Sequence, residues 1–184
     1  MSYNELIVAG LGGQGALIIG RFLAEAASSV HKYSSFFPNY GPTMRGGECE
    51  CTVIFSDKEV PAPTVMNPFA VILMGVRAGA NAVEEFVPRV RTGGVIIVDS
   101  SAPIKIDRED IDVYRIEANQ IAKEIGNSQV ANFVFLGAYL GATGAVALDT
   151  VEKLMEEKMG SGKKKKYLDL NKTALRQGAK ATRG

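Results

Sequence analysis

The sequence predicts one α/β domain in which a mostly parallel sheet is flanked by helices, three layers in all. Three observations carry this. Apolar runs at Leu6–Ala9, Ala70–Met74 and Gly94–Asp99 read as strands buried on both faces, and segments of helical character fall between and after them. A length of 184 residues suits one sizeable core and is short for two. An apolar fraction of 46% with 20 glycines fits an ordered globular chain.

Taken in order, Leu6-Ile7-Val8-Ala9 is the first strand, and Gly10-Leu11-Gly12-Gly13-Gln14-Gly15 turns the chain sharply into a helix spanning Gln14–Ser28. That strand, turn and helix make the domain Rossmann-like. Small residues Gly20, Ala24 and Ala27 allow this helix to approach a sheet closely. Val30–Tyr33 reads as the second strand. Phe36 to Gly47 has no period and is dense in Gly and Pro, so it reads as a loop, either functional or packed on its own apolar centre. Glu48–Phe55 alternates, with Cys49, Cys51, Val53 and Phe55 on one face and Glu48, Glu50, Thr52 and Ile54 on the other.

Pro61, Pro63 and Pro68 keep the next connection irregular. Ala82 and Phe86 belong to a helix that stops at Pro88, and Asp112–Ile116 is an outer strand. Three helices complete the body: Asn119–Ile125, Asn132–Leu140, which is apolar nearly all round, and Thr150–Met159, amphipathic and capped by Asp149 or Thr150. Residues 1–159 are thus the domain. Residues 160–184 are a basic linker and a C-terminal helix, with Gly160-Ser161-Gly162 and Lys163–Lys166 as a flexible joint before Tyr167–Lys180.

Charge is uneven. Residues 160–184 hold eight basic side chains against Asp169 alone, a net +7, which leaves −6 for the rest of a chain that is +1 overall. An acidic body argues against a nucleic-acid surface; the basic tail either meets something negative or is simply solvated. No apolar run is long enough to cross a membrane, and Met1–Leu6 carries Glu5 with no basic leader, so neither a membrane span nor a secretory signal is expected. Two cysteines two positions apart make no useful disulfide loop, and a cytoplasmic location is the simplest expectation.

Gly10-x-Gly12-x-x-Gly15 between strand and helix has the form of a dinucleotide fingerprint, in which glycines admit phosphate to the backbone and the helix N-terminus favours an anion. The acid that should take the ribose hydroxyls is missing: the place holds His31-Lys32-Tyr33-Ser34-Ser35. A nicotinamide dinucleotide, another anionic ligand and a tight turn kept for packing all remain open. No Lys-Ser or Lys-Thr closes the loop as a P-loop requires. Cys49 and Cys51 cannot fill a zinc or iron–sulfur site with His31 as the sole histidine, so no metal ligand set is assigned. Asp99 ends a central strand, where it either faces a ligand crevice or caps a turn. Arg45, between an aromatic-rich stretch and two glycines, offers a guanidinium fork for a carboxylate or phosphate, or else is solvated. No catalytic residue is assigned; a domain that binds and positions is the reading.

Gly-Leu-Gly-Gly-Gln-Gly at 10–15, Tyr-Gly-Pro-Thr-Met-Arg-Gly-Gly at 40–47 and the Glu-Cys-Glu-Cys-Thr-Val strand after it resemble the gamma subunit of 2-oxoacid:ferredoxin oxidoreductases. The resemblance covers about residues 5–155 and a terminal Leu170-Asn171 to Gly178 helix. It implies a subunit of an enzyme that oxidatively decarboxylates a 2-oxoacid to its acyl-coenzyme A and reduces ferredoxin. Met44-Arg45-Gly46-Gly47 looks like the 2-oxoglutarate and branched-chain type. Alpha and beta subunits, and a delta subunit, would be its partners. Thiamine diphosphate, magnesium and iron–sulfur clusters would sit in them, with none held firmly by this chain. Gly10, Gly12, Gly13, Gln14, Gly15, Arg45, Gly46 and Gly47 would face coenzyme A phosphates or a partner subunit. The isolated chain would be inactive and would self-associate as a homodimer. The small subunit of indolepyruvate:ferredoxin oxidoreductase and a stand-alone nucleotide-binding oxidoreductase are the alternatives.

Overall fold

The computed structural model describes residues 3–40, 47–59, 65–75 and 83–183. Their elements are β1 (Tyr3–Leu11), α1 (Ala16–Ser28), β2 (Tyr33–Tyr40), β3 (Glu48–Ser56), β4 (Ala70–Leu73), β5 (Val95–Asp99), β6 (Asp112–Ile116), α2 (Ala118–Ile125), α3 (Ala131–Thr143), α4 (Leu148–Met159) and α5 (Leu168–Lys180). Single 3-10 turns cover Val87–Arg89 and Ser128–Val130, and a longer one covers Gly162–Tyr167. No helix among these residues is long and apolar enough to cross a membrane.

The six strands form one sheet in the order β2-β3-β1-β4-β5-β6. β1, β4, β5 and β6 pair in parallel, but β3 pairs antiparallel with both β1 and β2. The sheet is therefore mixed, which corrects the mostly parallel expectation. The reason lies in chain length: seven residues separate β2 from β3, and a parallel pair needs a crossover of a dozen or more. β2 follows α1 and runs in the direction of β1, one strand away, and β3 fills the gap.

The second strand is Tyr33–Tyr40, not Val30–Tyr33, and residues 36–40 of the expected loop belong to it. Phe36 packs on the main core while Phe37 next to it is exposed, as period two requires on an edge strand. Met44 and Arg45, with Gly46, lie outside the described residues, as does Ala82. Residues 83–86 are helical and continue through Pro88 in a 3-10 turn instead of stopping there, since proline is tolerated in a first turn. At α4 the cap is Ala147, without a side-chain bond, and Asp149 sits in the first turn where it favours the helix dipole.

Two apolar clusters cover the two sheet faces. The larger joins Leu6, Val8, Val53, Phe55, Ile72 and Ile97 to α1, α3 and α5. The smaller joins Ile7, Ala9, Val71, Leu73, Ile96 and Val98 to Phe86, Val87, Val90, Ala102 and Ile111. At the expected 159/160 division, the lysine run is wound into the 3-10 turn Gly162–Tyr167, and α5 places Ala174 and Leu175 in the larger cluster, both fully buried. α3 is continuously buried from Asn132 to Leu140 because it lies in that cluster with α5 packed closely against it.

Candidate functional site

The parallel strands β1, β4 and β5 end side by side, and beyond their C-terminal ends opens a cleft of about 900 Å³. This is the edge at which α/β sheets bind ligands, and the volume is that of a small-molecule site. Its walls come from the glycine turn, from Met74 and Gly75 after β4, from Asp99, and from the start of α3.

The glycine turn is built by its own residues. The Gln14 side chain folds back so that Oε1 accepts from the Leu11 N–H at 2.7 Å, and the Gln14 N–H donates to the Leu11 carbonyl at 3.0 Å. Gly13 and Gly15 have φ of +101° and +86°, a left-handed conformation open to glycine. Gly15 is the N-cap of α1, and the carboxamide of Asn132 lies where a Cβ on Gly15 would stand. The N-terminus of α1 thus opens on the cleft at Gly15 and Ile18, and the Gly15 carbonyl accepts from the Ile18 and Ile19 N–H groups at 3.1 Å each. Such a terminus favours negative charge.

The two glycine motifs meet here. Gly12 donates its N–H to the Gly47 carbonyl at 2.9 Å, and Gly10 and Leu11 stand opposite Cys49 and Glu48 in the β1–β3 ladder. Gln14 is committed to the turn itself, so within the described residues Gly13 and Gly15 are the predicted positions that line the cleft with it. Arg45 and Gly46 fall outside the described residues, two positions and one position before Gly47.

Asp99 is almost fully buried. Its Oδ1 accepts from the Ser101 N–H at 2.9 Å and the Ser101 hydroxyl at 2.6 Å, and its Oδ2 accepts from Asn119 Nδ2 at 3.0 Å. It caps its turn and at the same time holds Asn119, and both residues line the cleft. On the opposite wall Glu25 of α1 accepts from Arg21 Nε at 2.9 Å and pairs with Lys158 of α4 at 2.9 Å. The Lys158 ammonium, with Arg21 adding to it, holds the Glu25 carboxyl below its usual range despite partial burial. Phe22 and Phe133 meet edge to face at 5.4 Å between these walls.

Sequence reasoning did not single out Asn119, Asn132, Lys158 or Tyr167, all of which line the cleft. Asn132 carried a usable signal, a carboxamide at the start of a helix otherwise apolar throughout, and it is almost fully buried. The thiols do not serve the site: Cys51 is buried against α1, and burial pushes it up to about 12, while burial also raises Cys49. Among the described residues no three His, Cys, Asp or Glu side chains converge as a metal site would need. The strand parallel and adjacent to β1 is β4, and Met74-Gly75 after it supply no dinucleotide acid among the described residues.

Comparison with known proteins gives a match of residues 5–181 to the family described as pyruvate ferredoxin/flavodoxin oxidoreductase. The ketoisovalerate oxidoreductase subunit VorA of Methanothermobacter marburgensis is 33% identical over 172 residues, 94% of this chain but 35% of that protein. The chain thus spans about a third of that relative. The 2-oxoglutarate synthase subunit KorC of the same organism is 31% identical over 173 residues, 90% of this chain and 91% of that one. The crystal structure of a keto/oxoacid ferredoxin oxidoreductase gamma subunit from Geobacter sulfurreducens PCA superposes with a TM-score of 0.78 at 27% identity, covering 97% of this chain and 98% of that one.

Proposed function

The chain belongs to the pyruvate ferredoxin/flavodoxin oxidoreductase family as a gamma-subunit-like domain, and on that premise we propose that it serves as the gamma subunit of a multi-subunit 2-oxoacid:ferredoxin oxidoreductase. The complex converts a 2-oxoacid and coenzyme A to acyl-coenzyme A and carbon dioxide, and the two electrons released pass to ferredoxin. 2-Oxoglutarate is the substrate we assign, on the Met44-Arg45-Gly46-Gly47 motif and the end-to-end likeness to a 2-oxoglutarate synthase subunit.

Within that complex this chain binds and positions. Two thiols raised by burial and a lone histidine 3.2 Å from Asp57 are no donor set for an iron–sulfur cluster; by analogy with the family, we assign the clusters, thiamine diphosphate and magnesium to the alpha, beta and delta subunits. Coenzyme A suits the cleft: the glycine turn and the N-terminus of α1 favour its pyrophosphate, and carboxamides such as Asn119 and Asn132 suit its neutral polar groups. The observation that carries this reading is the Gly12–Gly47 hydrogen bond, which ties Gly47 of the second glycine motif to the turn whose Gly13 and Gly15 line the cleft.

Anaerobic co-purification identifies the partners: alpha and beta chains should accompany this one, and its recovery alone from the native source overturns the assignment. Arg45→Ala should weaken coenzyme A binding about tenfold or more if its guanidinium clamps phosphate, or reduce assembly if it meets a partner. Unchanged affinity together with unchanged assembly excludes both roles.

A further inference from the structure

The basic segment after α4 has no part in the functions described so far, yet it reaches the cleft. Gly162–Tyr167 is a 3-10 turn of sequence Gly-Lys-Lys-Lys-Lys-Tyr, and with three residues per turn, positions three apart share a face. Lys164 and Tyr167 are such a pair, and both line the cleft. Lys166 instead leans over the Tyr167 ring at 4.8 Å.

Charge pairing separates this turn from the other bases around it. Lys158 and Arg21 are engaged by Glu25, while Lys172 and Arg176 are engaged by Glu152 and Glu156 of α4. None of Lys163 to Lys166 pairs with a carboxylate among the described residues, and all four are exposed. Four adjacent ammonium groups repel one another, a cost that an anion would relieve. The carboxylates lining the cleft do not compete for Lys164, since Glu25 is held by two cations and both oxygens of Asp99 accept hydrogen bonds. The cleft thus has two ends that favour an anion, the glycine turn at one wall and Lys164 at another.

We propose that Lys164 recognises the terminal phosphomonoester of a nucleotide lying in the cleft, which for coenzyme A is its 3′-phosphate, with Tyr167 beside it as an apolar and stacking surface. The inference rests on the coenzyme A reading of the cleft. A phosphomonoester dianion is the chemistry that a cluster of ammonium donors selects over a neutral hydroxyl.

The test measures equilibrium binding of coenzyme A and of 3′-dephospho-coenzyme A to the full chain in complex with its co-purified partners. The native protein should prefer coenzyme A by about tenfold, a preference that shrinks as salt is raised. Lys164→Gln should bind the two ligands equally, with affinity for the dephospho form unchanged, and Lys164→Arg should restore the preference. A preference that survives in Lys164→Gln, or is absent from the native protein, overturns the proposal while leaving the coenzyme A reading in place. Failure of the native complex to bind either ligand overturns both.

Discussion

At the scale of single residues, the cleft wall depends on Glu25, which ties α1 to α4 through Lys158 and also receives Arg21. Its folded-state pKa lies below the ordinary value, so the pairing contributes fully above the unfolded carboxylate pKa and is lost as pH falls through the lowered one. The pair is partly exposed, and its worth is about 1 kcal/mol or less. Urea unfolding between about pH 5 and pH 3 should show Glu25→Gln losing less stability on acidification than the native chain. Equal slopes would mean the bridge is not maintained in solution. Cys51 behaves oppositely: with its pKa pushed up to about 12 it stays a thiol at neutral pH, and it is buried. Alkylation followed by mass spectrometry at neutral pH should modify Cys51 only on unfolding, and rapid modification of the native chain would contradict the packing seen here. Of these residues, Cys51 was legible from strand alternation alone. Glu25 and Lys158 were not, because 133 positions separate them in sequence and only the packing of α4 on α1 brings them together.

At the scale of elements, what was legible followed from periodicity, and what was missed came from connectivity. The apolar runs of β4 and β5 and the helices α2, α3 and α4 stand where the sequence puts them, since burial on both faces or on one stripe leaves a direct pattern. β2 was hidden because Pro38 and Asn39 interrupt Phe36-Phe37 and Tyr40, a composition that reads as a turn but is tolerated on an edge strand. The clean alternation of Glu48–Phe55 was itself a sign of antiparallel pairing, since strands of parallel sheets tend to be apolar throughout. The α3–α5 contact shows a different limit. A Cβ on Gly137 would run into the carbonyl of Leu175, and one on Gly178 into the carbonyl of Val134. Backbone cannot yield as a side chain can, so Gly137→Ala and Gly178→Ala should each cost about 2 kcal/mol or more, outweighing the roughly 1 kcal/mol that alanine gains in a helix. Thermal unfolding should fall by about 5 °C or more for each, and an unchanged midpoint would mean that the helices are not in such close contact.

At the scale of the whole molecule, the distribution of charge and the distribution of packing are one fact. The acidic body and the basic end are joined through α4 and α5: Arg176 donates to both oxygens of Glu152 at 2.6 Å each, and Lys172 reaches Glu152 and Glu156. Bidentate geometry sets the register of α5 on α4, and Ala174, Leu175 and Ala179 then close over α3. α3 is apolar around its circumference, so without α5 it would present a bare apolar face to water. A chain ending at Met159 should therefore lose cooperative thermal unfolding and associate nonspecifically, as read by circular dichroism and sedimentation. Lys163→Gln, Lys164→Gln, Lys165→Gln and Lys166→Gln combined in the full chain should leave the melting midpoint unchanged or raise it, because no ion pair seen among the described residues is lost and repulsion between neighbouring ammonium groups is removed. A native-like melt for the truncated chain would make residues 160–184 a separable appendage, and a large drop for the lysine variant would make the turn part of the scaffold. The expected pair of outcomes assigns stability to α5 and leaves the turn before it free to serve the cleft.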